Sequence, residues 1–302
     1  MIHSITVTNY RGDSLKLELA RPQDSGFIIE SVTGLGPGKA NINTSEVSTN
    51  DGAFFNSSRV PSRNIVISVK YLFKETIEKA RQTSYKYFPL KRKVTLLVET
   101  DNRSAEIEGY VESNEPDIFS KEEGADISIV CPNPFFYDAF TTTRTSFSGI
   151  SPAFEFPFSN ESLTDNLLEF SVIQDVADRV IVYEGDQETG VTIYIYANGE
   201  AGDITIYNVD TQETMYVYAS LIEKLTGTGI AAGDEIQICT VKGQKSVTLI
   251  RAGRTTNILN CINRDADWFQ LAKGNNTFAY AATEGRNNLR VEIENRIVYE
   301  GI

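Results

Sequence analysis

Hydrophobic and polar positions alternate with period two from the first residues of the chain. Ile2, Ser4, Ile5, Thr6 and Val7 open one strand, and Leu15, Leu17 and Leu19 interleave with Lys16 and Glu18 in a second. Residues 27–32 give a third, and Ile65, Ile67, Val69 and Tyr71, set against Val66, Ser68 and Lys70, give a longer one. Such alternation marks antiparallel strands with one buried and one solvated face. A helix is expected from about residue 74 to 88, where Ile77, Ala80, Arg81, Ser84 and Phe88 fall on one stripe and Pro89 stops further winding. Lys74, Glu78, Lys79 and Lys86 then face water. Strands resume at 93–99, 104–112 and 126–131.

The run CPNPFFYD at 131–138 punctuates the chain, because Pro132 and Pro134 block helix and central strand alike while Phe135, Phe136 and Tyr137 supply an apolar anchor. It sets the expected boundary between a domain 1–138 and a domain 139–302, a division that the 302-residue length also favours. Residues 139–159 read as an extended connector or edge strand. Beyond Leu167 short strands recur every eight to twelve residues: 168–173, 179–183, 191–197, 203–208, 215–218, 235–241, 246–251, 267–271, 277–282 and 289–294. That rhythm belongs to a sandwich or jelly roll. Asn198-Gly199, Lys242-Gly243-Gln244 and Lys273-Gly274-Asn275 supply its turn chemistry. The expected fold class is mainly β, two β-sandwich domains, the first with one α-helix.

Charge narrows the function. Twenty-eight Lys and Arg against 41 Asp and Glu leave a net charge of −13, and a field of that sign repels phosphate backbones. Sequence-specific nucleic-acid reading is excluded. Residues 1–138 carry 16 basic and 19 acidic groups, net −3, and 139–302 carry 12 and 22, net −10. His3 is the one histidine, so imidazole triads and multi-histidine metal sites have no basis. Cys131, Cys239 and Cys261 are odd in number and lack CxxC spacing, which points to buried, inert thiols. No apolar run reaches the roughly 18 residues of a membrane span, and residues 1–10 alternate where a signal peptide would be apolar. Membrane insertion is not expected, and folding in a cytoplasm is.

Several motifs invite chemistry and fail on spacing. Gly34–Lys39, GLGPGK, lacks the first glycine of a Walker loop, has Ala40 in place of the hydroxyl residue, and precedes no helix, so it reads as a flexible loop. GTGIAAG at 227–233 lacks the third glycine of a dinucleotide fingerprint and reads as a turn before a strand. Carboxylate pairs such as Glu115 with Asp117 and Asp265 with Asp267 are expected in solvated turns, and no EF-hand pattern supports a calcium site. No cofactor, metal or catalytic residue is expected. Trp268, followed by GNN at 274–276, reads as a buried strand aromatic, with a sugar-stacking platform as the alternative.

Gly34–Ala40, the polar stretch 43–71 with its Asp51-Gly52 dipeptide, Arg59 or Arg63 before the strand at Ile65, and CPNPFFYD at 131–138 together resemble the distal tail proteins of long-tailed, siphovirus-type bacteriophages. The stretches 233–253, 268–278 and 297–302 extend the resemblance over nearly the whole chain. It implies a ring-forming first domain and a galectin-like or jelly-roll second domain. It also implies a non-enzymatic hub at the tip of a phage or prophage tail, a homo-hexamer that joins tail tube to baseplate and lets DNA pass. The implied partners are the tube protein, the tape measure, a tail-associated hub or lysin, and receptor-binding proteins. The implied place is the virion tail tip, after synthesis in a bacterial cytoplasm. Within this picture the polar loop 43–63 is an arm reaching a neighbour, and Asp51, Gly52, Arg59 and Arg63 are the candidate interchain residues, with local turn roles as the alternative. The other function read from the sequence is a carbohydrate-binding module that attaches the particle to a cell wall through its second sandwich.

Overall fold

Most strands of the first half carry one apolar row, and such rows leave water only by facing one another. The computed structural model describes residues 1–46, 51–72, 76–152, 171–175 and 178–302. Its chain divides into two compact units, Met1–Thr141 with Val298–Ile302, and Thr142–Ile297. The chain therefore passes from one unit to the other twice.

The first unit contains β1 (Ile2–Asn9), β2 (Ser14–Glu18), α1 (Pro22–Ser25), β3 (Phe27–Thr33), β4 (Asn41–Glu46), β5 (Ala53–Arg59) and β6 (Arg63–Tyr71). It continues with α2 (Ile77–Tyr87), β7 (Lys93–Thr100), β8 (Ser104–Pro116), β9 (Gly124–Cys131) and the start of β10 (Phe136–Ser146). Every pairing among them is antiparallel, in one run β2-β1-β7-β8 and another β3-β6-β9-β8. The 13-residue β8 serves both runs: Ser104–Tyr110 pairs with β7 and Tyr110–Pro116 with β9, with a register shift between Val111 and Ser113 where the strand changes partner. Ile5, Val7, Leu96, Val98, Ile67 and Ile129 are among the inward residues, all buried. At about 1.5–3 kcal/mol for each fully buried aliphatic side chain, these rows dominate the stability of the unit.

Helix α2 starts where the Thr76 hydroxyl accepts from the Lys79 amide, an N-cap. Its inner face buries Ser84, whose hydroxyl is bonded to Asn114 Nδ2 at 2.9 Å, and it leads to the buried Phe88, while Glu78, Lys79 and Lys86 are exposed as their spacing predicts. Lys74 lies outside the described residues.

The second unit follows from the end of β10 through β11 (Ser148–Pro152), β12 (Ser171–Asp175), β13 (Asp178–Tyr183), β14 (Thr189–Gly190), β15 (Thr192–Ala197), β16 (Ile204–Asn208) and β17 (Thr214–Val217). After α3 (Ala219–Thr226) come β18 (Glu235–Cys239), β19 (Ser246–Arg251), β20 (Arg254–Asn257), β21 (Gln270–Leu271), β22 (Gly274–Ala282) and β23 (Leu289–Tyr299). The order β13-β22-β16-β17 forms one sheet, and β23-β15-β18-β19-β20 is the order on the other side of a single core. Ile181, Ile206 and Phe278 from the first meet Ile193, Ile238 and Val291 from the second in that core. The molecule is mainly β, as its alternation predicts. The strand expected at 168–173 and the connector at 139–159 fall partly outside the described residues.

Two helices go beyond the one expected. The four-residue α1 is too short to carry a pattern, but α3 buries Ile222 and packs Leu221 on the core, with Gly227 just past its end. Its eight residues lie between strands spaced as in a pure sandwich, and the strand rhythm masks them.

Candidate functional site

Strands β4 and β5 pair only with each other among the described residues, in register from Asn41 opposite Arg59 to Glu46 opposite Ala53. Every residue of both strands is exposed. A two-stranded ribbon with no covered face is marginal in water, and among the described residues nothing covers this one. Its apolar groups are Ile42, Phe54 and Phe55, exposed by 64%, 59% and 66%. Phe54 and Phe55 are adjacent in one strand and so point to opposite faces of the ribbon. The polar loop expected over 43–63 is thus a projecting hairpin. It lacks an alternating apolar row because neither face meets its own core.

Of the four candidate interface residues, Asp51 and Gly52 lie exposed between the two strands and Arg59 lies exposed at the end of β5. Arg63 is placed differently, buried at the start of β6. Its Nη1 donates to Gly34 O at 2.8 Å and to Gly36 O at 2.7 Å, its Nη2 donates to Glu300 O, and the guanidinium lies 4.7 Å over the Phe136 ring. Burial pushes its pKa below the ordinary arginine value. The GLGPGK stretch, expected as a flexible loop, is therefore pinned at the point from which the hairpin departs. Gly34 has φ +84°, and a Cβ there would meet Asn64 O at 2.1 Å, so only glycine brings the root against β6.

Three further side chains complete this root, and sequence reasoning had no signal for them because their partners are remote in the chain. Arg103 Nη1 donates to Gly301 O at 3.2 Å and its guanidinium lies 4.3 Å over the Tyr299 ring. Tyr299 Oη donates to Asp138 Oδ2 at 3.0 Å. Burial alone would raise the Asp138 carboxyl, but bonds from the Thr141 and Phe140 amides and the Tyr299 hydroxyl together hold it below the usual carboxylate range. A depressed carboxyl contributes stability that is present above about pH 4 and is lost as pH falls through the folded value. Acid titration of unfolding should show this loss below about pH 4, and Asp138→Asn should flatten that part of the profile.

Cys131, paired across the sheet with Arg63, is fully buried, and desolvation pushes its thiol up to about 11. Cys261 is buried and its thiol is raised by the same cause, whereas Cys239 is only partly covered. A thiol reagent at pH 8 should therefore label Cys239 first and reach Cys131 only on unfolding; early labelling of Cys131 would contradict this burial.

The two outer faces of the second unit differ sharply in charge. On the β23-β15-β18 face, Arg144 lies 4.2 Å over Tyr194 and pairs with Glu292 at 3.1 Å, and Arg290 also pairs with Glu292. Tyr194 and Tyr196 stack there at 6.4 Å. On the β13-β22-β16-β17 face, the registers align Val180 with Thr277, Ala279 with Tyr207, and Thr205 with Tyr216; of the residues so placed only Asp178 is charged. Val180, Val182 and Tyr216 are exposed on it. Trp268 is elsewhere, partly buried against the core with Lys245 Nζ 4.9 Å over its ring. Among the described residues no group of three or more His, Cys, Asp or Glu could hold a metal ion, and no helix is long and apolar enough to cross a membrane. His3 Nε2 is hydrogen-bonded to Asp101 Oδ1 at 2.7 Å on the surface.

The fold, an antiparallel first unit with two helices and an exposed hairpin followed by a two-sheet sandwich, is similar to that of a solved phage protein. The crystal structure of the phage SPP1 Dit protein, described as a paradigm of the hub adsorption apparatus in phages that infect Gram-positive hosts, matches over 97% of this chain and 98% of its own, with a TM-score of 0.65 at 14% identity. The activated baseplate of phage P2 with calcium aligns over 100% of both chains at 10% identity, with a TM-score of 0.49. No family model and no curated protein sequence matches the chain. The resemblance read in the sequence is thus matched at the level of fold.

Proposed function

We propose that this protein is a non-enzymatic structural hub of a phage or prophage tail tip, forming a hexameric ring that joins tail tube to baseplate and lets DNA pass. The observation that carries this reading is the exposed β4–β5 hairpin, an uncovered ribbon with an aromatic on each face and a pinned root. A cyclic ring needs heterologous contacts, in which an element of one copy fits a different surface of the next, and such an arm supplies one half. Asp51, Gly52 and Arg59 travel with the arm to that contact, and Arg63 holds its base. A first domain with 16 basic against 19 acidic groups, net −3, offers a DNA path no excess of cations to grip the polymer. The partners are then the tube protein, the tape measure, a tail-associated hub or lysin and receptor-binding proteins, with the protein synthesised in the bacterial cytoplasm and ending in the virion. Solution mass with negative-stain imaging tests the ring: six-fold rings are expected, and a strict monomer with no ring in the assembled particle refutes it.

The β13-β22-β16-β17 face, with Asp178 the one charge among its registered outer residues, favours a second reading, attachment to a neutral saccharide of the cell wall. Tyr207 and Tyr216 offer rings for pyranose faces, Thr205, Thr214, Thr277 and Asn275 offer hydrogen-bonding groups, and the net −10 of residues 139–302 disfavours an anionic polymer. On this reading Tyr207→Ala and Tyr216→Ala abolish glycan-array binding by the full chain while Trp268→Ala spares it. Absence of any saccharide binding by the parent removes the reading.

A further inference from the structure

We infer that residues Val298–Ile302 act as a latch that holds the root of the arm, so that the arm takes its working position only in a chain whose 298–302 segment is docked. The root, Gly34–Lys39, belongs to no strand, so its backbone groups must find partners elsewhere. They find them in two places. Gly34 O and Gly36 O accept from Arg63, and Leu35 O, between them, accepts from the Ile302 amide at 3.0 Å. Arg63 also donates to Glu300 O, so one guanidinium ties the root and the latch together across 237 residues of sequence.

Packing closes the same joint. Val298, Tyr299 and Gly301 are buried, and Gly301 lies so close to the root that a Cβ there would come within 2.7 Å of Gly36 C and Pro37 N. Arg103 holds the other side of the latch through Gly301 O and the Tyr299 ring. Without the latch the root keeps Arg63, whose own third carbonyl partner has gone, and the seat of Gly34 against β6. Ordering costs about 1–2 kcal/mol per residue, so a root stripped of these contacts frays. A chain interrupted anywhere between Thr142 and Ile297 never supplies them. The latch thereby keeps incomplete chains from presenting an arm, a consequence for assembly that rests on the hub reading; the latch itself does not.

The test is hydrogen exchange on the full chain, read at the Ile302 amide, which donates to Leu35 O, with β15 as an internal reference, together with solution mass. Gly301→Val places a side chain where the root backbone lies, and Tyr299→Phe, which removes one hydroxyl, is the mild variant. Gly301→Val is expected to lower protection of the Ile302 amide at least tenfold with β15 unchanged and to reduce assembly in step, with Tyr299→Phe between it and the parent. Unchanged protection of that amide in both variants overturns the latch. Lost protection with assembly intact overturns its control of assembly. Lost protection in variants of a parent that never forms rings leaves the latch standing and refutes the hub reading alone.

Discussion

Replacing Arg63 by methionine is expected to destabilise the first unit by about 3 kcal/mol. The guanidinium satisfies three backbone carbonyls, those of Gly34, Gly36 and Glu300, and covers the Phe136 ring. Hydrogen bonds to a charged donor contribute about 1.5–3 kcal/mol each, less here because Gly34 and Gly36 are exposed and water can take the donor's place. Set against this is relief of the charge's desolvation, seen in the lowered Arg63 pKa, and of its Nε, which is buried without a partner. The balance is a loss of roughly 6–12 °C in melting temperature for a unit of this size. Arg63→Lys keeps the charge but not the planar fork that reaches three acceptors, and should fall between the two. Thermal unfolding of the full chain measures the effect. A methionine variant within about 0.5 kcal/mol of the parent would mean that the root is held by other means.

Phe54→Ser and Phe55→Ser should do the opposite: leave the melting temperature unchanged and weaken self-association by about 30-fold or more. Both side chains are more than half exposed in the single chain, so their loss removes little folding energy. An aromatic anchor that becomes buried in an interface contributes about 2 kcal/mol or more, which is about a 30-fold change in dissociation constant. Because the two rings lie on opposite faces of the ribbon, the single variants also tell which face is covered. Sedimentation at several concentrations reads the result. If both variants assemble like the parent, the arm is not an interchain element.

The strands of both units were legible because each carries a buried row at period two: Ile65, Ile67 and Val69 in β6 and Ile193 and Ile195 in β15 are buried at alternate positions. The β4–β5 hairpin was not, because its residues meet no core and leave no row to read. Phe54-Phe55 within a polar stretch was the available signal, an apolar pair with no periodic neighbours. The root was misjudged as flexible for a different reason. Its rigidity comes from Arg63, Arg103 and Ile302, and contacts separated by hundreds of residues leave no local trace in a sequence. Trp268 reads in the sequence as a buried strand aromatic, but it is only partly buried and precedes the two-residue β21, and the charge-poor face of β13-β22-β16-β17 emerges only when four strands are laid in register.

Strand β8 has a bearing on how the first unit comes apart. Its first half is paired with β7 and its second with β9, so neither half-sheet can shed that strand without exposing the edge of the other. Partial opening of one half would leave a row of unpaired amides along a buried strand, a state too costly to populate short of complete unfolding. Denaturant should therefore release the amides of β1 and β6, which lie in different runs, at one common midpoint. The unit then behaves as one cooperative block, with no half that yields ahead of the other.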